Sequence, residues 1–134
     1  MEATVRRPLA ALILAAGVSS RMERFKPMLP VGEDTMIRRT VRMMQQAGAD
    51  LPKLAVMPRC RSDVLELLAA TAEMADLHPE TPVITMSMGA LGAVSRLAGE
   101  AFGSAMTFAN PGQASAPGQV SLDIVNEVLN ALHL

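Results

Sequence analysis

The chain has 134 residues, half of them apolar, and a formal net charge of −1. This size and composition indicate one packed domain rather than a disordered chain. The near-neutral charge and the presence of three Phe as the sole aromatic residues offer neither the electrostatic field nor the stacking platform that nucleic acids require.

The N-terminal segment combines Arg6 and Arg7 with an apolar run at 9–16, which superficially resembles a signal peptide. The run is shorter than the ~20 residues that span a bilayer, so no membrane span is expected. Cys60 is the single cysteine, so we expect neither an internal disulfide nor a thiolate metal site. A cytoplasmic location fits this cysteine content.

Strand, loop and helix patterns alternate four times along the chain. The predicted strands are 9–16, 53–57, 82–88 and 104–108, and the predicted helices are 35–47, 62–77, 91–102 and a last one that starts near 121. The loops are predicted at 17–34 and 109–118, Ser62 is the expected N-cap of the second helix, and the last helix is expected to bury Leu122, Val125, Leu129 and Leu132. This order predicts an α/β fold with a parallel sheet and right-handed crossovers.

Alternation within the third strand separates two faces. Val83, Thr85 and Ser87 share one face, and Ile84, Met86 and Met88 share the other. A small, polar face backed by a bulky one suits a barrel lumen against an outer helix layer.

A closed barrel needs eight βα units and roughly 250 residues, and the pattern here supplies four. We therefore expect half a barrel, with two open edges and an uncovered inner face that favour a homo-oligomer. A four-stranded, flavodoxin-like open sheet is the alternative architecture.

The opening of the chain carries a first family resemblance. Residues 12–22 (LILAAGVSSRM) and 25–30 (FKPMLP) resemble the start of the nucleotidyltransferases that include the molybdenum-cofactor guanylyl- and cytidylyltransferases. A small-residue loop after a strand lets backbone N–H groups approach phosphate. The resemblance implies nucleotide binding by Gly17, Arg21 and Lys26, although Glu23 stands where the family usually has Gly.

A second resemblance is longer. Residues 51–58 (LPKLAVMP), 82–89 (PVITMSMG), 95–104 (SRLAGEAFGS) and 114–119 (ASAPGQ) follow each other as in the type I 3-dehydroquinate dehydratases, which are (βα)8 barrels. The match implies strands six to eight of the barrel, and it divides the chain into a nucleotidyltransferase-like fragment at 1–48 and a dehydratase-like half-barrel at 49–134. It also implies a lyase of the shikimate pathway that needs no cofactor and binds 3-dehydroquinate.

The second resemblance implies a role for each matched residue. Lys53 would attack the substrate ketone and form an imine, which requires a neutral amine. Arg96 would clamp the substrate carboxylate through its guanidinium fork, while Ser115 and Gln119 would hydrogen-bond the substrate from the loop after the last strand. Without the family match, a lysine that reaches to solvent, an exposed helix arginine and ordinary turn residues would be the simpler interpretations.

The family's acid–base histidine and its supporting glutamate belong upstream of the position of Lys53. Here that region is replaced by the nucleotidyltransferase-like opening, and His78 and His133 match no family position. Three hypotheses follow: an impaired 3-dehydroquinate dehydratase, a nucleotide-binding protein, and a non-catalytic fusion remnant.

Overall fold

The computed structural model describes residues 12–15, 30–46, 48 and 50–132. Its strands are β1 (Leu12–Ala15), β2 (Pro30–Val31), β3 (Asp34–Thr35), β4 (Lys53–Val56) and β5 (Ile84–Ser87). Its α-helices are α1 (Met36–Gln46), α2 (Arg61–Leu77), α3 (Ala93–Leu97) and α4 (Leu122–Leu132). Short 3₁₀ turns at Ala90–Gly92 and Glu100–Phe102 flank α3. No helix among the described residues is long and apolar enough to cross a membrane.

The main sheet is parallel, in the order β1-β4-β5. A parallel bridge between Val83 and Ser104 continues it beyond β5. Strand order therefore follows chain order, as in a barrel, whereas a flavodoxin-like sheet would have its first two strands exchanged. The predicted α/β fold with parallel strands and intervening helices is confirmed.

The fourth predicted strand, 104–108, is reduced to that single bridge. The Ser104 hydroxyl accepts the backbone N–H of Thr85 at 3.1 Å, so a side chain takes a donor that a regular ladder would use. Ala105 N–H still donates to Val83 O at 2.8 Å. The strand prediction was therefore too long, because a local side-chain hydrogen bond replaces the ladder after its first residue.

Two further local predictions need correction. The predicted loop at 17–34 ends in a β2–β3 hairpin that turns through Gly32, whose φ is 69°. The predicted helix at 91–102 is broken into α3 and its two 3₁₀ turns, and Ser104 N–H bonds back to Gly99 O at 2.9 Å.

Helix α2 packs on the outer face of the sheet. Leu54, Val56 and Val83 pack there against Leu67, Ala70 and Met74 of the helix. The hydroxyls of Thr71 and Thr85 lie 2.7 Å apart, and Thr71 also donates to Leu67 O. The small and polar face of the third predicted strand therefore faces the helix layer, which reverses the sequence-based assignment of the two faces.

The inner face carries Ala55, Ile84 and Met86, with Met88 and Phe108 packed against them. These three central side chains are 5–6% exposed, so the expected uncovered inner face is wrong at its centre. Lys53 shares this face, because it is two residues before Ala55 and pairs in register with Ile84.

Helix α4 buries Val125, but Leu122 and Leu132 are 46% and 40% exposed. The prediction that both would be buried is wrong, because α4 packs mainly against the short α3 among the described residues. Leu129 is partly buried.

The start of α2 is held by Asp63 rather than by Ser62. The N-cap residue is Cys60, and the Asp63 carboxylate accepts the backbone N–H of Arg59 at 2.7 Å and that of Cys60 at 3.4 Å. Ser62 lies exposed inside the first turn. Burial by itself raises the pKa of Asp63, but hydrogen bonds from Arg59 and Cys60 outweigh it and hold that pKa below its ordinary value.

We predict that Asp63→Ala lowers the free energy of unfolding by about 1–2 kcal/mol at pH 7, the usual size of a lost helix cap. Because the folded pKa is depressed, the stabilisation is present above the unfolded value of ~3.9 and is lost as pH falls through the lower folded value. Urea unfolding at pH 7 and at about pH 2.5 measures both effects. Ser62→Ala is the matched control, and an equal loss in both variants would contradict the assignment.

Candidate active site

Lys53 begins β4 on the inner face of the sheet. Its Nζ lies 3.8 Å from the centroid of the Phe108 ring. The side chain is partly buried, and no described residue forms an ion pair or hydrogen bond with the amine. The lysine therefore lies beside the apolar inner cluster, and its nitrogen contacts the face of an aromatic ring.

Arg96 is the bulkiest fully buried side chain in the described part of the chain, at 2% exposure. It lies on α3, where its Nη2 donates to Pro117 O at 3.4 Å, while its Nε has no hydrogen-bond partner. No acidic side chain among the described residues pairs with it. This burial excludes the interpretation of Arg96 as an exposed helix arginine.

Burial lowers the pKa of the Arg96 guanidinium from its ordinary value, but arginine keeps its charge near neutral pH because its ordinary pKa lies far above neutrality. A buried cation without a partner costs stability unless a ligand supplies the counter-charge. Beside it is a cavity of about 380 Å³ lined by Arg96, Glu100, Ser104, Ala105, Met106, Thr107 and Leu129. An anion with two oxygens fits the chemistry of a guanidinium whose Nε has no partner.

The loop at 111–119 is closed at its base and pinned at its tip. At the base, Asn110 N–H donates to Val120 O at 2.9 Å and Leu122 N–H donates to Asn110 O at 2.8 Å. At the tip, Pro117 O accepts the Gly89 N–H at 3.2 Å in addition to Arg96. The loop is thereby fixed against the carboxyl end of β5, the side of a parallel sheet where barrel active sites gather.

Gly118 allows this close approach. It has φ of 76°, and a Cβ there would lie 2.3 Å from Gly89 O. A larger residue would have to push the loop away from the end of β5.

Ser115 and Gln119 contact each other within the loop. The Gln119 Oε1 accepts the Ser115 N–H at 2.6 Å, the Ser115 hydroxyl at 3.1 Å and the Ala116 N–H at 3.2 Å. Ser115 is exposed and Gln119 is partly buried. The carbonyl end of Gln119 therefore organises the loop, and the amide nitrogen is the end that remains to donate to a ligand.

Arg96 lies next to the loop that contains Ser115 and Gln119. Residues 107 and 108 connect Arg96 to Lys53, because one contacts the arginine and the other contacts the lysine. Thr107 Oγ1 donates to Arg96 O at 2.7 Å, while the next residue, Phe108, lies under Lys53. No hydrogen bond links Lys53 directly to Arg96, Ser115 or Gln119 in the described part of the chain. Gly17, Arg21 and Lys26 lie outside the described residues, so their predicted nucleotide contacts stay a prediction.

Sequence reasoning missed three contributors. Pro117 and Gly118 carry the loop tip, and the Ala-Pro-Gly-Gln motif marks them as turn residues without giving their contact with Gly89. Phe108 was missed because the regular alternation ends after Ser104, so periodicity could not assign its side chain to the inner face.

The comparisons with known proteins agree on one family. The sequence model of the family described as Type I 3-dehydroquinase matches residues 23–134. The 3-dehydroquinate dehydratase of Salmonella paratyphi B is 52% identical over 104 residues, which are 78% of this chain and 40% of that protein. This chain belongs to the type I 3-dehydroquinase family.

Solved structures agree with this assignment. The type I 3-dehydroquinate dehydratase of Clostridium difficile, crystallised with covalently modified comenic acid, is 55% identical with a TM-score of 0.66, over 72% of this chain and 38% of that one. The enzyme of Geobacillus kaustophilus is 51% identical with a TM-score of 0.67, over 72% of this chain and 37% of that one. The chain thus spans about two-fifths of the length of its relatives and represents part of their barrel.

The family match begins at residue 23, so it includes Lys26 and α1, while Gly17 and Arg21 precede it. No comparison supports a nucleotidyltransferase fragment at the start of the chain. The division of the chain at residue 48 stays a prediction.

Proposed function

We propose that this chain carries the Schiff-base part of the conversion of 3-dehydroquinate to 3-dehydroshikimate and water, a step of the shikimate pathway. The observation that carries the proposal is the position of Lys53, which lies on the inner face beside an apolar cluster and an aromatic ring. The covalently modified comenic acid of the Clostridium difficile relative supports covalent chemistry in this family.

In the proposed first step, the neutral Lys53 amine attacks the ketone carbon. Its lone pair forms the new C–N bond, and the carbonyl π pair moves to the oxygen, which takes up a proton. The nitrogen then releases one proton to solvent, which gives the neutral carbinolamine. The hydroxyl takes up a second proton from solvent and leaves as water while the nitrogen lone pair forms the C=N bond. The resulting iminium acidifies the neighbouring C–H because it accepts the electron pair left behind when that proton is removed.

Substrate orientation is assigned to three residues. Arg96 offers a buried guanidinium with a free Nε to the substrate carboxylate, a pairing that geometry and charge both favour. The Gln119 amide nitrogen offers a donor to the substrate hydroxyls from the pinned loop. The Ser115 oxygen, whose own proton goes to Gln119 Oε1, offers an acceptor. Turnover by this chain is proposed to be poor, because the family's acid–base histidine has no counterpart at a matched position and such groups contribute about 10²–10⁴-fold.

Lys53 is expected to form the imine, and borohydride reduction with 3-dehydroquinate followed by peptide mass mapping measures it. The chain has two lysines, Lys26 and Lys53, so the adduct can be assigned without ambiguity. We expect an adduct on Lys53 that is lost in Lys53→Ala and kept in Lys26→Ala, with little dehydroshikimate absorbance. An adduct on Lys26, or robust turnover that survives Lys53→Ala, would contradict the proposal.

Arg96→Met is expected to separate binding from stability. Removing a buried and unpaired charge leaves the free energy of unfolding within about 1 kcal/mol of the parent or raises it. The same change lowers the yield of the Lys53 adduct at subsaturating 3-dehydroquinate about ten- to a hundredfold, since hydrogen bonds to a charged group contribute about 1.5–3 kcal/mol.

The matched control for Arg96→Met is Arg61→Met, at an exposed position on α2, which should leave the adduct yield unchanged. An analogue of 3-dehydroquinate without the carboxylate should give equal yields with the parent and with the Arg96→Met variant. A large loss of stability with no loss of yield would assign Arg96 a purely structural role.

We also propose that the chain self-associates and that it is located in the cytoplasm. Helix α4 exposes Leu122, Ile124 and Leu132, and Met106 is exposed near the last bridge of the sheet. Such a group of apolar side chains favours contact with a second copy. The exposed free thiol of Cys60 suits a reducing compartment.

Light scattering over a wide concentration range is expected to give a dimer or a larger species. Ile124→Asn, on the exposed side of α4, should weaken the assembly, while Asn126→Ser on the same helix should leave it unchanged. A well-folded monomer at all concentrations would refute the expected assembly.

A further inference from the structure

We propose that Phe108 is a positioning residue for Lys53, whose charged nitrogen it holds against the inner face through its aromatic ring. This inference rests on the proposed function, because it assigns the residue that prepares the Schiff-base lysine. The distance of 3.8 Å from Nζ to the ring centroid lies well within the ~6 Å range of cation–π attraction.

Within the described residues, the Phe108 ring is the contact that restricts the rotamers of the Lys53 side chain. A lysine carries its charge on a flexible four-carbon stem, and no carboxylate among the described residues pairs with Lys53. An ion pair would fix the nitrogen through a compact opposite charge. Here the negative face of the Phe108 ring fixes the nitrogen instead. No carboxylate in the described part of the chain then lies next to the amine to compete with the substrate ketone for it.

Phe108 is itself held in place from three sides. Its side chain packs against Ala55, Ile84 and Met86. The preceding Thr107 is bonded to Arg96 O at 2.7 Å, and Asn110 is bonded in both directions to the segment that starts α4. Adjacent residues therefore make the two contacts: Phe108 contacts the Lys53 nitrogen, and Thr107 contacts the backbone of Arg96.

The ring acts on charge, and charge changes along the proposed reaction. The resting ammonium and the iminium are cations, whereas the free amine and the carbinolamine are neutral. The Phe108 face stabilises the first pair relative to the second. It therefore makes Lys53 less reactive towards unselected electrophiles, because the cation must give up this contact before it can react, and it slows the return of the iminium to the carbinolamine.

The first test measures Lys53 without any dehydratase substrate. Trace acetylation with the N-hydroxysuccinimide ester of acetic acid, followed by peptide mass mapping, gives the rate at Lys53 relative to added Nα-acetyl-lysine. At about pH 8 we expect Phe108→Leu to raise this relative rate about two- to fivefold, the effect of losing one cation–π contact. Phe108→Tyr keeps an aromatic face and should stay at the parent rate.

The pH profile separates charge from packing. At about pH 11.5 a lysine amine is largely uncharged, so the difference between Phe108→Leu and the parent should shrink toward one if the ring acts on charge. A ratio that persists at this pH, equal rates at pH 8, or a Tyr variant that reacts like the Leu variant would each overturn the inference. If Phe108→Leu does not fold, pentafluorophenylalanine at position 108 keeps the packing, reverses the ring's electrostatics and should give the same acceleration.

The second test uses 3-dehydroquinate. The imine on Lys53, trapped by borohydride at intervals after dilution, should disappear about two- to fivefold faster in Phe108→Leu than in the parent. If the parent forms no adduct, the proposed function fails while the acetylation rates still decide the role of Phe108. If the adduct forms but its lifetime is equal in the two proteins, the positioning role fails and the proposed function stands.

Discussion

The alternation of side chains along β4, fixed by its parallel pairing with β5, is the constraint on which the rest of this structure depends. Successive residues of a strand point to opposite faces, so Leu54 and Val56 are committed to the helix layer and Lys53 and Ala55 to the inner face. The register with Ile84 and Met86 extends both faces across the sheet. A shift of one residue would bury the lysine amine under α2 and remove the chemical group from the site.

The outer face is held by two kinds of contact whose roles differ. Apolar packing between the sheet and α2 supplies most of the driving force, because it removes a contiguous surface from water. The hydroxyl pair of Thr71 and Thr85 is directional, and it fixes where along β5 the helix docks. Ser104, at the last bridge of the sheet, adds a further polar contact on this side, because its hydroxyl accepts the Thr85 N–H. A longer strand would have needed that N–H for its own backbone ladder. Ser104 thus attaches the segment after α3 to β5, and it also ends the strand pairing there after one bridge.

Much of this architecture could be predicted from the sequence, because it follows from local patterns. Turn residues and alternating hydrophobic runs located the four βα units, and the motif around Lys53 pointed to the family. The orientation of the two strand faces could not be predicted from polarity, since the Thr85 hydroxyl finds its partner, Thr71, inside the helix layer, and Ser87 is buried on the same face although its hydroxyl has no partner there. The N-cap prediction failed for a related reason: Asp63 reaches two backbone N–H groups from within the helix, which makes Ser62 unnecessary as a cap.

The candidate site divides along the same lines. Arg96, Ser115 and Gln119 were predicted by motif, and their proximity is a tertiary fact that depends on Pro117 O meeting both Gly89 and Arg96. No single-sequence pattern encodes a carbonyl that accepts hydrogen bonds from two distant segments. The role of Phe108 could not be predicted either. The strand pairing stops at Ser104, so the alternation of side chains does not assign the Phe108 ring to a face of the sheet.

Within the described part of the chain, Arg96 is buried without an acidic partner and Lys53 has no carboxylate partner, which is an unusual arrangement for a packed domain. Each cation is costly to keep away from water, and a sequence selected for stability alone would pair or replace both. They differ in how the fold tolerates them. Arg96 donates one hydrogen bond to a backbone carbonyl, and its Nε has no partner, so it keeps donors that the proposed substrate carboxylate would use. Lys53 contacts a ring that favours a positive charge but accepts no hydrogen bond from the amine. In the proposed reaction the nitrogen would therefore keep this contact when the ammonium is replaced by the iminium. The proposed function requires this division, with one cation available for substrate recognition and the other for covalent chemistry. The contacts of the two side chains within the described residues are what support it.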